Sequence, residues 1–141
     1  MKTIHAIYGI KANNVTKCTY TELNGWPEAQ GKIIVQLIKN YDNEALSTLF
    51  CQLEEVSDKN VSISLTHPSG QIKKCPISQA EYRYIINLDD ETLEFYCKNN
   101  IPRAKFSLKN IRELSVDDTI AVMKSIDDKP EDMYNLLGVS A

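Results

Sequence analysis

"EYRYIINLDDETLEFYCK" (81–98) is the stretch that decides the fold. Large apolar side chains recur at every second position on both sides of an acidic corner. These alternating residues are Tyr82, Tyr84, Ile86, Leu88, Leu93, Phe95 and Cys97. A period of two indicates strands with one buried face, and the Asp-Asp-Glu-Thr corner (89–92) is typical of a turn. The stretch therefore predicts an antiparallel β-hairpin that packs one face against a core.

Further strands are predicted on both sides of this hairpin, because β-branched and aromatic residues recur in short runs that turn residues separate. These runs are "TIHAIYGI" (3–10), "VTKCTYTE" (15–22), "NVSISLT" (60–66), "IKKCPI" (72–77) and "AKFSLKNI" (104–111). The turn residues "KANN" (11–14) join the first two runs into an N-terminal hairpin. In the last run, Ala104, Phe106 and Leu108 are expected to face inward as strand residues.

Two consecutive helices are predicted after the N-terminal hairpin. Apolar residues recur at helical spacing over 33–41 and again over 46–53, and Asp42 or Asn43 supplies the N-cap of the second helix. A third helix is expected to begin after Ser115, whose side chain can cap it.

The order of these elements predicts the fold class. Strands and helices do not alternate as they do in parallel βαβ folds. We therefore expect a single α+β domain (1–141) with a mainly antiparallel sheet, an N-terminal hairpin, two consecutive helices, further hairpins and a C-terminal helix. Residues 127–141 are predicted to add a short helical tail, in which Pro130 begins the helix and Gly138 ends it.

The composition is that of an ordinary globular protein with a small acidic excess. The chain has 141 residues, a formal net charge of -3 and a pI of about 5.4. A protein dedicated to nucleic acid normally carries a basic excess that neutralises phosphates, so nucleic acid is not expected as the partner. The chain contains neither a run of 18 apolar residues nor a cleavable signal segment, which predicts a cytoplasmic protein that does not enter a membrane.

Metal and catalytic motifs are weak. The four cysteines contain no C-x-x-C pair, which favours free thiols over a disulfide framework or a zinc site. His5 and His67 are the only histidines, and neighbouring carboxylates lack the order of a calcium loop. We therefore predict no catalytic residues, no metal and no cofactor. A small hydrolase that uses Glu22 with His5 or a cysteine stays open as an alternative.

The loop "TELNGWPEAQGK" (21–32) contains the only Trp of the chain. Pro27 suits the first turn of a helix, whereas Gly31 inside that turn costs about 1 kcal/mol relative to Ala. Two alternatives explain Gly31. It allows a neighbouring strand to approach closely, or it leaves backbone N–H groups open to a ligand, with Lys32 beside them and Trp26 stacking on a ring. The spacing does not match a phosphate-binding P-loop.

A basic stretch follows the central hairpin. Residues 98–112 contain five positive side chains and no acidic one. If the run is a strand, Arg103, Lys105 and Lys109 share one of its sides. They form either an ordinary solvated sheet face or an anion site suited to phosphates.

Three segments together resemble a known family. "AIYGI" (6–10), Y-x-x-x-N-G-W-P-E-x-x-G (20–31) and "EYRYIINLDDETLEFY" (81–96) are similar to small α+β proteins that phages, prophages and bacteria encode. These proteins have a Tyr-Gly first strand, a Tyr-x-His-x-Asp-Gly-Tyr-Pro loop and a Tyr-x-Tyr-x-Ile-Asp-Leu-Asp hairpin. In this chain, Glu22, Asn24 and His5 stand where the pattern has His, Asp and Arg, so any chemistry of those positions is not expected here.

The resemblance implies a role in the conflict between phage and host. Together with the loop and the basic stretch, it favours a non-enzymatic protein that sequesters a small anionic, nucleotide-like signalling ligand in the bacterial cytoplasm. The expected ligand-binding residues are Tyr20, Asn24, Trp26, Lys32, Arg103, Lys105 and Lys109. A protein-binding inhibitor or interaction module, with self-association into a homo-oligomer, is the alternative.

Overall fold

A computed structural model describes residues 4–21, 24–52, 61–62, 73–74, 80–97 and 102–128. The strands are β1 (Ala6–Ala12), β2 (Val15–Thr21), β3 (Val61–Ser62), β4 (Lys73–Lys74), β5 (Tyr82–Asn87), β6 (Thr92–Cys97) and β7 (Ala104–Ser107). The helices are α1 (Lys32–Asn40), α2 (Asn43–Gln52), α3 (Leu108–Glu113) and α4 (Val116–Asp128), and a π-helical turn at Pro27–Gly31 precedes α1. The described strands form one sheet in the order β4-β3-β2-β1-β5-β6-β7.

The predicted α+β class and mainly antiparallel sheet are confirmed. The deciding stretch forms the antiparallel hairpin β5-β6, and the N-terminal residues form the antiparallel hairpin β1-β2. The two hairpins meet through a parallel pairing of β1 with β5, which places Tyr8 opposite Tyr84. The sequence patterns did not predict this junction, because its two strands are distant in the chain and only their packing brings them together.

Several predicted elements are only partly covered by the described residues. The predicted strands at 60–66 and 72–77 are described only as β3 and β4, and the tail from Pro130 to Gly138 lies outside the described residues. Among the helices that are described, none is both long enough and apolar enough to cross a membrane.

A side chain of the second hairpin holds the turn of the first. Asn13 and Asn14 form the turn between β1 and β2 with φ angles of 52° and 63°, a conformation that Asn tolerates better than most residues. The Asp89 carboxylate accepts hydrogen bonds from the backbone N–H groups of Asn13 at 2.7 Å and Asn14 at 3.1 Å. The bonds from Asn14 and Asn13 lower the pKa of Asp89, because they stabilise the charged form.

All four described helices pack on one face of the sheet, which we call the covered face. Apolar strand residues on this face alternate with residues that point away from it. The strands contribute Ala6, Tyr8, Ile10, Ala12, Tyr82, Tyr84, Ile86, Leu93, Phe95, Cys97, Ala104 and Phe106. The helices contribute Ile34, Val35, Ile38, Leu46, Phe50, Leu108, Ile111, Ile120, Met123 and Ile126.

Aromatic rings form the centre of the covered face. The ring centroid of Phe95 lies 5.6 Å from that of Tyr84, 6.2 Å from Tyr82 and 6.5 Å from Phe106. Aromatic pairs at these separations contribute about 0.5–1.5 kcal/mol beyond the burial of their area. The hairpin that the sequence pattern identifies is therefore also the centre of the core.

The strand predicted at 104–111 is wrong in its second half. Strand β7 ends at Ser107, and Leu108 begins helix α3. The Ser107 hydroxyl accepts a hydrogen bond from the Asn110 backbone N–H at 3.4 Å and so caps the helix. Leu108 is buried as predicted, but it is buried as a helix residue.

The predicted caps Asp42 and Ser115 are present, and α1 and α3 also cap each other. Ser115 caps α4 by accepting a hydrogen bond from a backbone N–H at 3.1 Å. Lys39 of α1 donates to the carbonyl oxygens of Ile111 at 3.3 Å and Arg112 at 3.1 Å. In return, Arg112 of α3 donates to the carbonyl oxygen of Ile38 at 3.1 Å. A cation at a helix C-terminus satisfies carbonyl groups that lack helical partners, so these bonds fix the two helices together.

Candidate functional site

The loop that contains Trp26 lies against the sheet through Gly25. The N–H of Gly25 donates to the Ile4 carbonyl at 3.0 Å, and the carbonyl of Gly25 accepts the Tyr84 hydroxyl at 2.7 Å. A Cβ atom on Gly25 would lie 2.8 Å from both the Ala6 Cβ and the Ile4 carbonyl oxygen. Glycine is required here because the loop backbone touches the first strand.

Gly31 is explained by the same core. A Cβ atom on Gly31 would lie 3.1 Å from Cε1 of Tyr84 and 3.4 Å from the sulfur of Met123. The Tyr84 ring is fully buried and its hydroxyl is bonded to Gly25, so the ring has little freedom to move. These distances support close packing, rather than an open backbone for a ligand, as the reason for Gly31.

Trp26 lies at the edge of the covered face. Its side chain is 37% exposed, and its ring centroid lies 6.0 Å from that of Tyr82 at an angle of 49°. The Tyr82 hydroxyl donates to Asp127 at 2.6 Å, and burial together with this bond raises the pKa of Tyr82. Asn24 and Lys32 are exposed, with Lys32 at the start of α1. Trp26 therefore covers part of the aromatic core and keeps one part in solvent.

The fold divides the basic stretch. Lys105 lies in β7 and Arg103 directly before it, whereas Lys109 is exposed on α3 and Arg112 caps α1. The predicted placement of Lys109 beside Arg103 and Lys105 on one side of a strand is wrong. The reason is that Ser107 caps a helix and ends the strand.

The face of the sheet opposite the covered face carries polar and charged side chains beside a small buried apolar cluster of Ile7 and Ile85, against which Tyr96 packs. The strand register places Arg83 opposite Tyr96, and Glu94 opposite Lys105. The buried apolar residues of the described helices pack against the covered face. We call this second face the polar face. It comprises Arg83, Asn87, Glu94, Tyr96, Lys105 and, directly before β7, Arg103.

Glu94 is the centre of a hydrogen-bond network on the polar face. The residue is only 7% exposed. Its Oε2 accepts a bond from the Asn87 amide at 3.0 Å, and its Oε1 accepts the Tyr96 hydroxyl at 2.9 Å. Asn87 is itself held by the backbone N–H of Asp90, which donates to its Oδ1 at 3.0 Å. The carboxylate is therefore fixed in one orientation.

Arg83 stacks on Tyr96 beside this carboxylate. The central carbon of the guanidinium lies 3.9 Å from the ring centroid, a cation–π distance. Burial lowers the pKa of Arg83 from its ordinary value, and the nearby Tyr96 and Glu94 oppose this shift. Burial raises the pKa of Tyr96 to about 12, with the charge of Glu94 adding to the shift. Tyr96 therefore keeps its proton and remains a donor at neutral pH.

Lys105 adds a positive charge at the edge of this network. Its side chain is half-buried and lies across from Glu94, and its ammonium makes no hydrogen bond or ion pair with the described residues. Arg103 is also half-buried, and its backbone N–H donates to the Phe95 carbonyl at 2.7 Å. Lys105 thus lies across from the Glu94 carboxylate, and the charge of Glu94 acts on the nearby Arg83, in a protein whose net charge is -3.

The residues predicted to bind a ligand lie at different places. Arg103 and Lys105 lie on the polar face, whereas Trp26 contacts the covered face. Tyr20 lies in β2 opposite Ile7, and its side chain is outside the described residues. The Trp26 loop and the basic residues of β7 are therefore on opposite faces of the sheet.

Four polar-face residues were not predicted from the sequence. These residues lie between the alternating core residues of the 81–98 stretch and are Arg83, Asn87, Glu94 and Tyr96. The same period of two that identifies the core also groups these residues on one surface, which is the signal that could have found them.

The described part of the chain contains no group of three or more His, Cys, Asp or Glu side chains that could hold a metal ion. Glu22, the candidate residue of the hydrolase alternative, lies outside the described residues. A scan against protein-family models found no match, and searches of curated proteins and of solved structures found none either. The resemblance to small phage proteins therefore stays a prediction, and function has to be argued from the site.

Proposed function

We propose that this protein binds a small anionic ligand of the nucleotide type on its polar face and holds it without changing it chemically. The observation that carries the proposal is the position of Lys105: its partly buried side chain lies directly across from Glu94, and its ammonium has no partner among the described residues. An anionic ligand supplies the missing partner. Charge-assisted hydrogen bonds to a phosphate are among the stronger polar contacts that proteins make.

The neighbours of Lys105 suit the rest of such a ligand. Arg83 and Arg103 add charge near the same strands, and guanidinium groups match the geometry of phosphate oxygens. The Arg83 guanidinium and the Tyr96 ring stack on each other nearby, and planar groups of both kinds are ones on which bases stack in proteins. A nucleotide uses both properties at once, whereas inorganic phosphate uses only the charge.

The proposed biological role is sequestration. The sequence resemblance to small phage-encoded proteins supports a ligand from among the signalling nucleotides of a bacterial host cytoplasm. A protein that binds such a signal and does not convert it removes the signal from its receptor. This role needs tight binding and no catalytic group.

Thermal-shift measurements against linear and cyclic mononucleotides and dinucleotides test the proposal. The wild type is expected to melt at a higher temperature with at least one of these nucleotides, because a ligand that binds only the folded state stabilises it. The informative variant is Lys105→Gln. Its matched control is Lys109→Gln, which removes the same charge from an exposed position on α3.

The two lysine variants are expected to differ in nucleotide binding. Lys105→Gln is expected to weaken binding by about tenfold or more, the cost of one charge-assisted contact. Lys109→Gln is expected to bind as the wild type does. Equal losses in both variants would show that only the overall charge matters, and a flat response of the wild type across the panel would refute the proposal.

A further inference from the structure

A nearly buried carboxylate lies among the cations of the polar face. Glu94 accepts hydrogen bonds from Asn87 and Tyr96, one at each oxygen. A carboxylate has about four acceptor positions, so each oxygen retains capacity for one more donor. The two oxygens therefore present a pair of acceptors whose direction is already fixed.

A site that only attracted phosphate would gain nothing from this group. The negative charge of Glu94 repels an anion and weakens the attraction of Lys105, its cross-strand neighbour. The carboxylate can favour binding only when the ligand also brings hydrogen-bond donors to it. Because Glu94 is almost shielded from water, a donor that reaches it forms a stronger bond than it would at an exposed site.

Given the nucleotide ligand proposed above, we infer that Glu94 selects a guanine base. Guanine carries two adjacent donors, the N1–H group and the exocyclic amino group, which match the two oxygens of one carboxylate. Adenine carries an acceptor at N1, so its lone pair would face the negative charge of Glu94. The site thus discriminates by leaving the wrong base with an unpaired polar group.

The positions of the neighbouring residues suit this arrangement. Opposite residues on adjacent antiparallel strands have Cβ atoms roughly 5 Å apart, so Glu94 and Lys105 reach the same ligand from two directions. Lys105 meets the phosphate with its long, flexible side chain. The stacked Arg83 and Tyr96 lie beside Glu94 and support the plane of the base.

Calorimetric titration of GMP, IMP, AMP and inorganic phosphate into the full chain tests the inference. The wild type is expected to bind GMP about tenfold or more tightly than AMP, with IMP between them because it keeps N1–H and lacks the amino group. Glu94→Gln is expected to remove most of this preference by weakening GMP. The same variant should bind AMP and phosphate as well as or better than the wild type, because it removes a repelling charge.

The controls separate recognition from a loss of structure. Glu113→Gln makes the same charge change at an exposed position of α3 and should keep the preference for GMP. Tyr96→Phe, which removes one bond that orients the carboxylate, should lower the preference by a few-fold and serves as the test if Glu94→Gln fails to fold.

The outcomes distinguish this inference from the proposed function. Equal binding of GMP and AMP by a wild type that still depends on Lys105 overturns guanine selection and leaves nucleotide binding in place. An equal loss of all four ligands in Glu94→Gln gives Glu94 a structural role only and also overturns it. If none of the four binds the wild type and the wider panel is flat as well, both proposals fail.

Discussion

Phe95 and Glu94 are neighbours in strand β6, yet their side chains lie on opposite faces of the sheet, one apolar and covered by helices and the other polar. Phe95 is fully buried among aromatic rings, and the helices cover its face of the sheet. Glu94 points the other way, into a network of polar and charged groups. The covered face holds the fold together through apolar contacts, whereas the polar face carries the charged side chains of Arg83, Glu94 and Lys105.

The glycine-containing loop belongs to the first of these surfaces. The contacts of Gly25 and Gly31 with the Tyr84 region account for both glycines without a ligand. Substitutions on the covered face should therefore change stability, and substitutions of the cations on the polar face should change binding. The experiments below test this separation, from the largest expected effect to the smallest.

Phe95→Ala is the severest test of the covered face. The ring contacts Tyr82, Tyr84 and Phe106, and its removal leaves a cavity that rigid neighbours cannot fill. The free energy of unfolding is expected to fall by about 3–5 kcal/mol, as it does for buried Phe to Ala changes. Urea unfolding followed by circular dichroism measures the loss. A loss below about 1 kcal/mol would show that this core is far looser than its geometry indicates.

Tyr84→Phe removes one atom from the link between core and loop. The Tyr84 hydroxyl is the donor to the buried Gly25 carbonyl, so its loss leaves an acceptor without that partner. The expected cost is about 1–3 kcal/mol of unfolding free energy. Amide hydrogen exchange should show faster exchange in residues 25–31, where the loop is no longer tied. Unchanged protection there would mean that Gly25 is held by its other contacts.

Lys39→Met tests the mutual capping of α1 and α3. The Lys39 ammonium donates to carbonyl groups at the C-terminal end of α3, and Met keeps the length of the side chain without the charge. We expect a loss of about 1–2 kcal/mol in unfolding free energy. Lys32→Met is the matched control, because Lys32 is exposed at the other end of the same helix and should change stability by less than about 0.5 kcal/mol.

Asp89→Asn should have the smallest effect, and pH makes it visible. The hydrogen bonds from Asn14 and Asn13 lower the pKa of Asp89, so its contribution to stability is present above the pKa of the unfolded chain. The contribution is lost as pH falls through the lower pKa of the folded state. Melting temperatures of wild type and Asp89→Asn should therefore differ at neutral pH and converge in acid. Asp128→Asn, at an exposed position of α4, should follow the wild type.

Sequence patterns predicted the hairpins and most helices, because alternation of apolar residues and helix capping depend on residues that are close together in the chain. The period of two in 81–98 gave the hairpin, and Ser115 caps its helix as its position indicated. The parallel junction of β1 with β5 was not predictable in this way, because no residue in either strand specifies a partner so distant in the chain. The strand was predicted to continue past Ser107 because a buried Leu108 fits a strand as well as a helix.

The candidate site was predicted less well than the fold. The sequence identified Lys105 and Arg103 as basic residues of a possible site. A sequence does not show, however, which basic side chains already bond within the fold. Lys39 and Arg112 are examples, because both cap helices. Glu94 alternates with the apolar residues of its strand, and this pattern by itself assigns such a position to solvent. In the folded chain Glu94 is nearly buried and accepts hydrogen bonds from Asn87 and Tyr96, which the sequence pattern does not reveal.

The central claim is that the polar face, and not the Trp26 loop, binds the ligand. The most direct measurement is nuclear magnetic resonance of the labelled protein, titrated with the nucleotide that stabilises it most. We predict that the backbone amides of Arg83, Glu94 and Lys105 shift with the ligand while the indole N–H of Trp26 stays in place. A titration that shifts the Trp26 indole and leaves the β5, β6 and β7 amides unchanged would contradict the account.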